Sequence, residues 1–230
     1  MRDITKVVQL RALSLELLTI FLLLPVSAEG QFRFDPISVT LRPEGAQSSV
    51  SFRASNDGAS PVALRLGIMT RELQADGNEI REPVEEGLFT LFPRRVVVEP
   101  ESSRTIRLTY QGPTELARER SYRIVAEQLP VDFSEEAEGG GGRLDIALRY
   151  FGAVYVTPEG AQPDVTARLE PGGPAEALLV LENRGGRHAL LQDLEVTLVG
   201  EEGERRHTLP ESAVATVSGT NLLAGSRREV

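Results

Sequence analysis

The chain contains no cysteine. Disulfide bridges, thiol nucleophiles and cysteine-based zinc sites are therefore excluded together, while the compartment stays undecided. Tryptophan is also absent and aromatic residues make up only 5% of the sequence, so Val, Leu and Ala are expected to fill the interior. The two histidines, His188 and His207, sit in polar sequence beside turns. They share no metal-ligand spacing, which reads as surface histidine. Positive charge is scarce, with 25 Lys and Arg against 34 Asp and Glu and a formal net charge of −9. That balance argues against nucleic acid and anionic membrane surfaces as partners, since both require basic patches. No G-x-S-x-G element, Walker loop or dinucleotide fingerprint occurs. The four glycines at 139–142 open no phosphate-binding helix and read as linker. Glu135, Glu136 and Glu138 lack the spaced Asp/Asn/Gly pattern of a calcium loop and read as a solvated charge run. The expectation is a protein without cofactor, metal or catalytic site, and not an enzyme.

The chain has 230 residues, 40% of them hydrophobic, enough for one large or two small domains. Its one long apolar run, residues 17–24 (LLTIFLLL), is too short to span a bilayer comfortably. It follows Arg2, Lys6 and Arg11, ends at Pro25, and leads into the small residues Ser27 and Ala28. This is the pattern of a cleavable secretory signal over residues 1–28. Removing that segment, with its three cations against Asp3 and Glu16, shifts the net charge from −9 to −10.

After residue 28 the pattern is of short alternating runs with Gly, Pro and Asn punctuation. Strands are expected at 32–41 (interrupted by Pro36), 49–55, 62–70, 88–92, 95–98, 105–110, 122–129 and 143–155. Residues 112–118 have room for one helical turn. Roughly seven short strands in about 125 residues, with turn residues between them, predict a β-sandwich of immunoglobulin type. Thr157-Pro158-Glu159-Gly160 reads as a hinge, because Pro fixes φ and Gly permits unusual φ. Beyond it strands are expected at 165–169, 177–181, 190–199, 205–209 and 213–217, and Ala224-Gly225-Ser226 looks like a turn into another. The fold class is therefore all-β, with two immunoglobulin-like sandwiches in tandem at 29–157 and 158–230. The second is short or truncated, at about 70 residues where such a domain takes about 100.

Residues 143–155 (RLDIALRYFGAVY) stand out. A strand places Leu144, Ile146, Leu148 and Tyr150 on one face and Arg143, Asp145, Ala147 and Arg149 on the other. They come after the acidic, glycine-rich stretch SEEAEGGGG. On the residues alone, this strand is either ordinary core or one offered to a partner.

Tyr122-Arg123-Ile124 followed by Glu127-Gln128-Leu129-Pro130 resembles the periplasmic pilus (fimbrial) assembly chaperones of the PapD-like family. Asp35-Pro36, Pro43-Glu44-Gly45, SVSFRASND at 49–57, Phe92-Pro93, Val98-Glu99-Pro100 and Arg107 agree in the family's order. So does IALRYFGAVYVTP at 146–158, and more weakly Leu223–Arg228. The resemblance implies a two-domain chaperone of the periplasm. It lends its seventh strand to a pilin that lacks one, by donor-strand complementation. Leu144, Ile146, Leu148 and Tyr150 would be the inserted residues. Pilin-like subunits and an outer-membrane usher would be the partners, with no nucleotide required. A homodimer through the donor edge is a further expectation, since unpaired edges pair with one another. The family's basic pair for the pilin carboxylate falls here on Ser38 and Ala153, neither of them charged, which leaves Arg33 and Arg149 as substitutes. The alternative is an exported structural or adhesive immunoglobulin-like protein without a client.

Overall fold

The computed structural model describes residues 32–130, 147–173, 176–195, 197–199, 206–208, 215 and 217–230. The signal segment at 1–28, the acidic stretch with Glu135, Glu136 and Glu138, and the donor candidates Leu144 and Ile146 lie outside the described residues.

The first unit runs β1 (Arg33–Asp35), β2 (Ser38–Leu41), β3 (Ser49–Asn56), β4 (Val62–Thr70), β5 (Glu72–Leu73), β6 (Glu79–Ile80), β7 (Phe89–Phe92), β8 (Arg95–Val98), β9 (Ser102–Tyr110), β10 (Arg120–Gln128) and β11 (Arg149–Val156). Two sheets face each other, ordered β1-β3-β9-β7 and β2-β11-β10-β4-β8. The expected first strand is two strands in different sheets, with the change of sheet at Pro36, whose peptide bond is cis. Proline donates no ladder hydrogen bond, so a strand can leave its sheet there. The polar stretch after Thr70 holds the small β5–β6 hairpin, and residues 112–118 form bends in place of a helical turn.

Alternation decides which side chains are inside. Phe52, Leu64, Ile106, Leu108, Ile124 and Val154 are each essentially inaccessible and meet between the sheets. Each contributes on the order of 1.5–3 kcal/mol by leaving water. The few aromatics are concentrated here: Phe34 stacks on Phe52 at 5.2 Å, and Phe89 meets Tyr110 and Tyr122 edge to face. The interior is thus more aromatic than composition suggested, because seven of the twelve aromatic rings pack in this one core.

The second unit holds β12 (Val165–Gly173), β13 (Glu176–Asn183), β14 (Ala189–Leu190), β15 (Thr197–Val199), β16 (Arg206–Thr208), β17 (Asn221–Leu222) and β18 (Arg227–Glu229). They pair as β12-β13-β18, β14-β17 and β15-β16 around Leu181, Leu191, Val217 and Leu222. The single strand expected over 190–199 is two, separated where Asp193 adopts a positive φ of 51°. Within the strand expected at 213–217, Ala215 and Val217 lie in turns. The turn into a further strand at Ala224-Gly225-Ser226 is present and leads into β18.

Candidate functional site

Strand β11 presents two faces. Leu148, Tyr150 and Val154 point into the first core. Arg149, Phe151, Ala153 and Tyr155 point the opposite way, since strand side chains alternate. The antiparallel registers carry this outward face across three strands. Arg149 lies opposite Glu127, and Glu127 opposite Arg65; Phe151 lies opposite Val125, and Val125 opposite Gly67; Ala153 lies opposite Arg123, and Arg123 opposite Met69. The outward surface is therefore a grid with a charged row, an apolar row and a mixed row.

Two carboxylates organise its charges. Glu127 pairs with Arg65 at 2.5 Å and with Arg149. Glu79, brought over by the β5–β6 hairpin, pairs with Arg123 at 2.6 Å, Arg71 at 2.9 Å and Arg81 at 3.6 Å. Burial pushes the Glu79 carboxyl up, but Arg123 and Arg71 outweigh it and hold the group below its ordinary value. Arg81 also lies 4.3 Å over the Phe151 ring, a cation–π contact.

The edge of β11 differs along its length. The Ala153 N–H donates to the Ile37 carbonyl at 2.7 Å, so the odd-numbered amides face away from β10. Strand β2 accompanies β11 only from Ala153, opposite Ser38, to Val156, opposite Leu41. Arg149 and Phe151 therefore turn their amides to an edge that no strand among the described residues occupies. Gly152 marks the boundary: a Cβ there would lie 2.8 Å from Ile124 Cγ2 and 3.2 Å from the Ile37 carbonyl oxygen.

The other half of β11 meets the second unit. Tyr155 stacks on His188 with ring centroids 3.9 Å apart, and its hydroxyl accepts from Arg71 and Asn221. Glu119, whose side chain is fully buried, accepts the Thr157 hydroxyl at 2.7 Å and the His188 N–H at 3.1 Å. Its carboxylate also lies 2.7 Å from His188 Nδ1. His188 is thus half-buried between the two units, contrary to the surface position its polar neighbours suggested.

Of the expected site residues, Leu148 is half-buried against the first core. Tyr150 is engaged there too: its O–H donates to the Phe32 carbonyl at 2.8 Å and its ring meets Phe32 edge to face at 4.9 Å. Arg33 pairs with Asp57 at 3.1 Å on the edge strand of the other sheet, while Arg149 pairs with Glu127. The fold gives Arg33 and Arg149 separate acidic partners on separate sheets. Sequence reasoning missed Glu79, Arg71 and Arg81, which come together only through the hairpin. Arg123 was within reach: it alternates outward inside the Tyr122-Arg123-Ile124 motif.

The family model for the pili and flagellar-assembly chaperone, PapD N-terminal domain, matches residues 34–162. This chain belongs to that family. Solved structures of PapD-like chaperones share the fold across both units. The CsuC–CsuE chaperone–tip subunit pre-assembly complex from archaic chaperone-usher Csu pili of Acinetobacter baumannii matches with a TM-score of 0.62 at 13% identity, covering 87% of each chain. The class 5 fimbriae chaperone CfaA matches with a TM-score of 0.58 at 15% identity, over 85% of this chain and 83% of that one. The Pseudomonas aeruginosa CupB2 chaperone matches with a TM-score of 0.52 at 16% identity, over 86% of each. No curated protein matches the sequence. In this PapD-like chain Ser38 and Ala153, the uncharged positions where the resemblance expects a basic pair, are direct register partners, and the arginine beside Ala153 comes from β10 as Arg123.

Proposed function

We propose that this protein is a periplasmic chaperone that caps pilin-like subunits by donor-strand complementation and passes them to an outer-membrane usher. It works without nucleotide. The observation that carries this reading is the edge of β11 at Arg149 and Phe151, which no strand among the described residues accompanies. A subunit strand laid against it gains main-chain hydrogen bonds. Leu144, Ile146 and Leu148 alternate in the sequence in step with the core-facing residues of β11 and would supply apolar groups to the subunit, each worth roughly 1.5–3 kcal/mol when buried. Tyr150, bonded to Phe32 inside its own core, ends that series. For the client's terminal carboxylate, Arg123 is better placed than Arg33, because it adjoins Ala153. Arg149 borders the open edge and would sit beside the client strand. The same edge, when vacant, would pair with a second copy.

Periplasmic co-expression with pilin-like subunits from the same source, followed by co-purification, tests the reading. The expected result is a one-to-one complex that the double variant Ile146→Asp, Leu148→Asp loses while keeping its β circular-dichroism spectrum. A variant that still holds its subunit would overturn donation. Amide exchange gives an independent check: Arg149 and Phe151 should exchange quickly in the free protein and become protected in the complex.

A further inference from the structure

The apolar row of the outward grid contains an open groove. Gly67 supplies no side chain at its centre, and a Cβ added there would meet no atom within 4 Å. Val125, Phe151, Met69 and Pro83 line a depression of about 580 Å3 around it. Arg65, Arg81 and Arg149 stand on its rim, with Glu79 and Glu127 among them. These two carboxylates are each shared, Glu79 by Arg71, Arg81 and Arg123 and Glu127 by Arg65 and Arg149. On the rim three guanidiniums stand against two carboxylates, a local surplus of positive charge on a chain whose net charge is −9. A guanidinium offers more donors than half a carboxylate can accept, so the rim retains capacity for an anionic group.

We infer that this groove receives an apolar side chain of the bound subunit together with an adjacent carboxylate. The side chain would lie over Gly67 between Val125 and Phe151, and the carboxylate would meet the arginine rim. The inference rests on the donor-edge reading for the identity of the partner. Its link to that reading is physical continuity: Phe151 and Arg149 belong both to the groove and to the unaccompanied edge of β11. A subunit strand paired with that edge would extend the sheet, and the segment leaving it would cross the same outward face. The groove would then select clients by the side chains of that departing segment, separately from the backbone pairing that any strand provides.

The test uses 3-phenylpropionate as a probe, with 3-phenylpropylamine as its charge-reversed counterpart, monitored by NMR on the full mature chain. The acid should shift the amide signals of Gly67, Val125 and Phe151 in a saturable way at millimolar concentration, and the amine should not. Gly67→Leu places its Cβ in open space and its branch in the groove, and should abolish the shifts at an unchanged melting temperature. Arg81→Glu, which leaves the groove open, should reverse the preference toward the amine. Equal binding of acid and amine, or binding that survives Gly67→Leu, would overturn the proposal. In the co-purification experiment Gly67→Leu should weaken subunit capture about tenfold, and capture equal to wild type would overturn the client assignment. A wild-type chain that takes the acid but captures no subunit would instead sink the donor-edge reading beneath it and leave the groove as a site for free aryl carboxylates.

Discussion

The two halves of β11 have the same backbone and opposite duties. From Ala153 to Val156 the strand has a neighbour on each edge, core on one face and the second unit on the other, and every residue is buried. From Arg149 to Phe151 it has β10 alone among the described strands, and its side chains are exposed or half-buried. A strand can be offered to a partner only if something else holds it in place. On the proposed donor-edge reading the C-terminal half does the holding, and the N-terminal half need not leave the sandwich to pair outward.

Substitutions should separate these duties. The largest effect is expected from Val154→Asp, which buries an unpaired charge at a position with no accessible surface, and no soluble folded chain should be recovered. By contrast, Arg149→Ala on the exposed half should change unfolding free energy by no more than about 0.5 kcal/mol in urea titration. Next comes Gly152→Val at the boundary. Its side chain would collide with Ile124 and the Ile37 carbonyl, and a loss of about 1–3 kcal/mol is expected from overpacking. Tyr155→Phe keeps the ring on His188 but removes the acceptor used by Arg71 and Asn221, and should cost about 1–2 kcal/mol by the same measurement.

A further effect, smaller than those of Gly152→Val and Tyr155→Phe, is electrostatic. The Glu79 carboxyl is held below its ordinary value of 4.5, so its contribution is present above that value and is lost as pH falls through the folded-state one. Stability should therefore fall in acid slightly more for wild type than for Glu79→Gln. The difference should stay under about 1 kcal/mol, because the network is partly solvated. A pH profile flat for both proteins below 4.5 would remove Glu79 from the organisation of this face.

How much of this was legible beforehand depends on range. Strands β4 and β8 fall at the expected bounds because Val62–Thr70 and Arg95–Val98 alternate within themselves and end at turn residues. The alternation of residues 148–155 likewise revealed which of them face the core. Alternation says nothing about what lies beside a strand. That Ser38 meets Ala153, that β2 joins β11 in parallel only at that point, and that Glu79 gathers three arginines are pairings between distant segments. The position of His188 failed for the same reason: its polar neighbours in sequence hid Tyr155 and Glu119, its neighbours in space.

The buried Glu119 has a consequence for the order in which the chain folds. The surface on which the second unit docks is assembled from Glu119, immediately before β10, and from Tyr155 and Thr157 at the end of β11. These residues become neighbours only when β10 and β11 have paired. Until the first sandwich closes, His188 has neither ring nor carboxylate to meet. The docking surface for the second unit is thus a product of the closed first sandwich, and the chain emerges from synthesis in that order.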